Sequence, residues 1–152
     1  MSSIAFFNAN GVVGKADNIM HFFNSQNIDL LILGETWLSS GDNVPFKNCC
    51  VYNACHESDD IILRGGRRGR GGLLILGKKR NEFFVIKEDP HKRWVLFRYQ
   101  NLLCCATYLE PSADDSILDD IFSMLDEETN GFEDEFVFLG DINARNRDIC
   151  GD

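Results

Sequence analysis

Four apolar runs in this 152-residue chain each end on polar side chains that could do chemistry. Asn8 and Asn10 follow residues 4–7. Glu35 follows residues 29–33 after Gly34. Tyr108 closes residues 103–108, and Asp141 and Asn143 follow residues 136–139. In layered α/β folds, sites gather where strand ends come together.

Each residue has a plain reading and a chemical one. Glu35 reads as a solvated charge past a strand, or as a carboxylate held by rigid backbone at a cleft. A hard cation such as Mg²⁺ takes one or two such carboxylates, keeps several waters and completes its shell with substrate phosphate. Asp141 and Asn143 read as turn formers. In Gly-Asp-Ile-Asn-Ala directly after an apolar strand, the Asp could instead deprotonate a water and the Asn donate to charge growing on a phosphorus-bound oxygen. Tyr108 is packing, or a hydroxyl for a phosphate oxygen.

The elements that must position them follow from periodicity. Residues 4–7 read as a buried strand. Residues 15–27 read as a helix with Ile19, Met20, Phe22 and Phe23 on one face. Residues 29–33 then form a second strand parallel to the first, across a right-handed connection. A short strand is expected near residues 51–54, and residues 64–70, rich in Gly and Arg, read as a low-complexity loop. Strands are expected at 73–76, 83–86, 94–99 and 103–108, and adjacent runs of this kind favour antiparallel pairing. Ser112 is the expected cap of a second helix with Asp114 and Asp115 in its first turn and Ile117, Leu118, Ile121, Phe122 and Leu125 on its apolar face. Residues 136–139 form a last strand. One domain of α/β (α+β) class, residues 1–152, is expected from this order and length.

The net charge of −9 divides into +3 over residues 1–109 and −12 over residues 110–152. An acidic total argues against charge-driven, non-specific nucleic-acid binding. It leaves room for an enzyme that meets phosphate through a bound cation. The six cysteines include no Cys-x-x-Cys pair, and Cys104 and Cys105 fall on opposite faces of a strand, so reduced thiols in an intracellular protein are expected. No apolar run is long enough to span a membrane.

Five segments, Phe7-Asn-Ala-Asn-Gly11, Gly34-Glu-Thr-Trp-Leu38, Gly71-Gly-Leu-Leu-Ile75, Ala106-Thr-Tyr-Leu109 and Gly140-Asp-Ile-Asn-Ala144, resemble in order and spacing the motifs of the endonuclease/exonuclease/phosphatase superfamily. The likeness is closest to the endonuclease domains of non-LTR retrotransposons, relatives of apurinic/apyrimidinic endonucleases. It implies a four-layer α/β sandwich with mixed sheets and a divalent cation, Mg²⁺ with Mn²⁺ as substitute. It also implies roles: Glu35 and Asn10 at the metal, Asn8 beside metal and attacking water, Tyr108 on phosphate, Asp141 on the water, Asn143 at the transition state. The implied reaction is attack of water on a DNA phosphodiester, leaving a 3′-hydroxyl and a 5′-phosphate.

The superfamily's site also uses a later Asp and an Asp-His pair. None of His21, His56 and His91 matches that histidine, so the sandwich is expected to be partial at its C-terminus and this chain weak or inactive alone. Open sheet edges, exposed apolar surface and self-association are expected with it. Arg67, Arg68 and Arg70 read as phosphate-tracking, or as a solvated loop. The same fold acting on RNA or a phosphoinositide, and a non-catalytic binding remnant, are the alternatives. A nuclear location and a downstream reverse transcriptase in a parent polyprotein belong to the retrotransposon reading.

Overall fold

A computed structural model of the chain describes residues 3–39, 42–44, 46–55, 61–63, 66–78, 83–114, 116–129 and 135–143, without the side chains of 50 and 61–68. His56, Cys150, Asp115 and Ala144 lie outside the described residues. The apolar runs form two four-stranded sheets. One holds β1 (Ile4–Asn8), β2 (Leu30–Gly34), β6 (Leu73–Lys78) and β3 (Cys49–Ala54) in the order β1-β2-β6-β3. The other holds β10 (Phe136–Asp141), β9 (Leu102–Tyr108), β8 (Trp94–Tyr99) and β7 (Phe83–Glu88) in the order β10-β9-β8-β7. Helix α1 (Ala16–Ser25) joins β1 to β2, and α2 (Ser116–Glu128) joins β9 to β10.

Alternation along the central strands stacks these elements into four layers. Side chains of a strand point alternately to its two faces. Leu31 and Leu33 of β2 and Leu74 and Leu76 of β6 meet Ile19 and Phe23 of α1. Leu30, Ile32, Leu73 and Ile75, one residue out of phase, meet Val95, Phe97, Cys104 and Ala106 between the sheets. Leu96, Leu103 and Cys105 face the other way, onto Ile117, Ile121 and Leu125 of α2. A strand buried on both faces must be apolar throughout, which is why β2 and β6 read as continuous runs. The result is the α/β sandwich with mixed sheets.

Each sheet contains one parallel pair. β1 runs parallel to β2 with Asn8 opposite Gly34, and β10 runs parallel to β9 with Asp141 opposite Tyr108. β1 also lies against β10, and β2 against β9. The C-terminal ends of four strands therefore collect at one end of the sandwich.

Three expectations need correction. β6 leaves the run of later strands and enters the first sheet, antiparallel to both β2 and β3; two apolar faces suit a central strand between helix and sheet, and the pairing with β2 and β3 selects the first sheet. Residues 66–68, expected within a loop, form β5 (Gly66–Arg68), which pairs antiparallel with β4 (Ile61–Leu63). Helix α2 begins at Ser116 rather than just after Ser112; the Asp114 carboxylate accepts the Ser116 N–H at 2.9 Å. β1 and β10 are edges of their sheets among the described residues, and Phe7, Phe22 and Phe122 are exposed. No helix among the described residues is long and apolar enough to cross a membrane.

Candidate active site

Residues 34–38 are gripped on both sides. Ala9, Gly11 and Val12 donate their N–H groups to the carbonyls of Gly34, Glu35 and Thr36 at 2.8, 2.8 and 3.1 Å. On the other flank, the Trp37 N–H donates to Gly71 O at 3.0 Å, and the Gly69 N–H donates to Trp37 O at 2.9 Å. Gly72 is the necessary residue beside this segment. Its φ is +90°, and a Cβ there would lie 2.5 Å from Thr36 Oγ1. Lys15 closes the first loop, its ammonium donating to the carbonyls of Ala9 and Asn10 at 2.9 and 2.7 Å.

The backbone around the site is left-handed at non-glycine positions, with φ of 46° at Asn10, 55° at Glu35, 58° at Trp37 and 48° at Asn143. Such conformations each cost about 1–3 kcal/mol and cluster where strain serves function. Here the hydrogen bonds from both flanks hold them.

The side chains of β1 and β10 meet directly. Asn8 Nδ2 donates to Asp141 Oδ2 at 3.1 Å, while Asn8 Oδ1 accepts the Asn10 N–H at 3.0 Å. That second bond sets which way the Asn8 amide points. Asp141 Oδ1 accepts the Asn143 N–H at 3.0 Å. Each carboxylate oxygen keeps acceptor capacity for one more proton donor, such as a water. Asn143 Nδ2 donates to Leu109 O at 2.7 Å, tying the end of β10 to the end of β9 and leaving its second N–H without a partner among the described residues.

Tyr108 sits between these groups. Burial, followed by the charges of Glu35, Glu110 and Asp141, pushes its pKa up to about 12. The phenol is therefore a neutral donor throughout the physiological range. Its backbone is fixed from behind: the Tyr108 N–H and the Thr107 hydroxyl both donate to Arg93 O, at 2.9 and 3.0 Å. Arg93 in turn clasps the buried Asp89 through Nε at 2.6 Å and Nη2 at 3.0 Å. Burial alone would raise the Asp89 pKa, but the hydrogen bonds and charge of Arg93 carry it below the usual carboxylate value.

A cavity of about 230 Å³ opens over Glu35, Trp37, Tyr108 and Glu110. A larger one of about 350 Å³ adjoins it, lined by Arg70, His91, Arg93, Tyr108, Glu110 and Ser112 among others.

A profile of the endonuclease/exonuclease/phosphatase family matches residues 5–149. The chain belongs to this family. Solved structures of similar fold include an AP endonuclease from Archaeoglobus fulgidus (TM-score 0.67, 20% identity, covering 95% of this chain and 58% of that one). The endonuclease domain of TRAS1, a telomere-specific non-LTR retrotransposon, gives TM-score 0.68 at 11% identity, covering 96% and 61%. The 3′ phosphatase NExo from Neisseria, bound to a product DNA hairpin, gives 0.64 at 15%, covering 94% and 58%. The chain thus spans about three fifths of the length of these structures. No curated protein sequence is similar enough to match.

Of the residues singled out in the sequence, the fold brings Asn8, Asn10, Glu35, Tyr108, Asp141 and Asn143 to one end of the sandwich. Arg70 is there too. Arg67 and Arg68 lie on β5, with side chains outside the described residues. His21 lies exposed on α1, away from these strand ends, whereas His91 lines the larger cavity beside Tyr108. The sequence reading missed Glu110, Asp89 and Arg93. An acid four residues before an arginine in a turn was the only local signal of the Asp89–Arg93 pair, and Glu110, two residues after Tyr108, pairs with a residue too distant in the chain to leave one.

The donor set suits a hard divalent cation of the kind family members use. Its atoms are oxygens, the charges of Glu35, Glu110 and Asp141 all act on the Tyr108 phenol, and the Asn10 side chain has no partner among the described residues. No three His, Cys, Asp or Glu converge among those residues, so a fully protein-ligated, zinc-like centre is not formed there. Mg²⁺, which keeps much of its water, needs no more than one or two carboxylates.

Proposed function

We propose that the chain carries part of a metal-dependent phosphodiester-hydrolysing site, that its parent domain nicks DNA in the manner of a non-LTR retrotransposon endonuclease, and that the chain alone is weak or inactive. The observation that carries this reading is the junction of two sheets at Asn8 and Asp141, with Glu35 and Tyr108 lining one cavity at the same end of the sandwich. On this reading the substrate is nuclear DNA, and a reverse transcriptase is the partner domain of a parent polyprotein.

Glu35 would hold Mg²⁺ or Mn²⁺, with the amide oxygens of Asn10 and Asn8 at its rim. The bound cation would supply charge neutralisation at the phosphate oxygens. Asp141, held by the Asn8 amide and the Asn143 N–H, orients a water and takes its proton as the water oxygen attacks phosphorus. Tyr108, neutral at working pH, donates to a non-bridging oxygen. The second N–H of Asn143 donates to the charge that grows on the phosphoryl group. The P–O3′ bond breaks, and the leaving oxygen becomes a 3′-hydroxyl with a proton from solvent.

Titration calorimetry with Mg²⁺ or Mn²⁺ tests the cation site. One cation per chain is expected, with loss of binding in Glu35→Gln; an unchanged isotherm in that variant would refute the assignment. Any Mg²⁺-dependent plasmid nicking by the chain should disappear in the same variant.

A further inference from the structure

Arg70 is placed differently from the other arginines near it. Its neighbours on both sides bond to Trp37, through Gly69 N–H to Trp37 O and Trp37 N–H to Gly71 O. The approach is so close that a Cβ on Gly69 would lie 2.1 Å from Leu38 O. Arg70 is therefore carried on rigid backbone at the rim of the site. Its side chain, 51% exposed, reaches across to Glu110, with Nε 2.9 Å from Oε1. Both residues line both cavities, so the pair stands at the passage from Glu35 and Tyr108 to the space lined by His91 and Arg93.

A guanidinium offers five donors in a planar fork, which fits carboxylate and phosphate oxygens alike. Glu110 thus occupies the place an anionic oxygen would take. An ion pair this exposed is worth only about 0.2–1 kcal/mol, so exchanging its anion is easy.

We propose that Arg70 is the seat of the substrate phosphate next to the scissile one, and that Glu110 fills this seat until a nucleic-acid strand displaces it. The inference rests on the phosphodiesterase reading and adds a selection: a strand carrying two successive phosphates is preferred over an isolated phosphodiester. The carboxylate keeps the arginine extended and opposes ligands too short to reach it.

The test is binding of a short fluorescein-labelled single-stranded deoxyoligonucleotide to the full chain in EDTA, where no cation and no turnover intervene. Glu110→Gln should tighten Kd about two- to fivefold, the range an exposed ion pair is worth. Arg70→Ala should weaken binding, Arg70→Lys should weaken it less, and the double variant Arg70→Ala/Glu110→Gln should bind like Arg70→Ala alone. Asp126→Asn, which removes an exposed carboxylate of α2 with the same change in net charge, should leave Kd unaltered. Absent binding, an unchanged Kd in Glu110→Gln, a gain that survives in the Arg70→Ala background, or an equal gain in Asp126→Asn would each overturn the proposal. Failure of cation binding to depend on Glu35 would instead sink the hydrolytic reading and leave the phosphate seat standing.

Discussion

The Asn8 amide and the Asp141 carboxylate, 133 residues apart in sequence, are joined by a 3.1 Å hydrogen bond that links the edge strand of one sheet to the edge strand of the other. A half-buried bond to a charged acceptor contributes about 1.5 kcal/mol. Asn8→Ala and Asp141→Ala should each destabilise the chain by about that amount in urea unfolding. The double-mutant cycle should return a coupling of about 1 kcal/mol. A coupling of zero would mean that the two strand ends are held by their neighbours alone.

Tyr108 should titrate near pH 12, well above its ordinary value of 10. The difference in absorbance at 295 nm between the parent chain and Tyr108→Phe isolates it from Tyr52 and Tyr99. Its folded value lies above its unfolded value, so its contribution to stability is complete below about pH 10 and is lost as the pH climbs to about 12. Glu35→Gln should lower the value by removing one of the charges that raise it. A Tyr108 that ionises near pH 10 in the folded chain would contradict the placement.

Asp89 behaves in the opposite sense. Its folded value is lowered by Arg93, so its contribution is present above the ordinary carboxylate value and is lost as the pH falls through the lowered one. Asp89→Asn should cost about 2 kcal/mol at neutral pH, less than a fully buried pair because Arg93 is 32% exposed. Unfolding curves of the two proteins should converge in acid. Since Arg93 O anchors Tyr108, the variant should also shift the Tyr108 titration.

Gly72→Ala places a methyl 2.5 Å from Thr36 Oγ1 on backbone of positive φ, in a place where both residues are buried. Thermal unfolding should show a loss of about 2–3 kcal/mol, from strain and displacement together. The same substitution at Gly14, whose φ is +77° but which faces open space, should cost less.

Cys104 and Cys105 are buried in the two cores on either side of β9, and burial raises their pKa values to about 11 and 12. A disulfide reagent at neutral pH should leave both unmodified in the folded chain and react with both after denaturation. Rapid modification under native conditions would show that β9 opens.

The sequence by itself determined the two helices and the strands of the two larger sheets, though not the small β4–β5 pair, and which polar residues end them. A strand covered on both faces must be apolar along its length, and the run stops where the chain leaves the core, so residues 29–33 and 136–139 announce both the strand and the polar residue that follows. The family motifs then assigned roles to Asn8, Glu35, Tyr108, Asp141 and Asn143. Local pattern could not decide which sheet each strand joins, and β6 shows why: Leu73 to Leu76 would satisfy a central position in either sheet. Only the tertiary structure brought Asn8 to Asp141, Arg70 to Glu110 and the Asp89–Arg93 clasp behind Tyr108. The first two pairings join elements distant in the chain, and the third matters only through the strand it supports; long-range hydrogen bonds leave no periodicity for a local reading to detect.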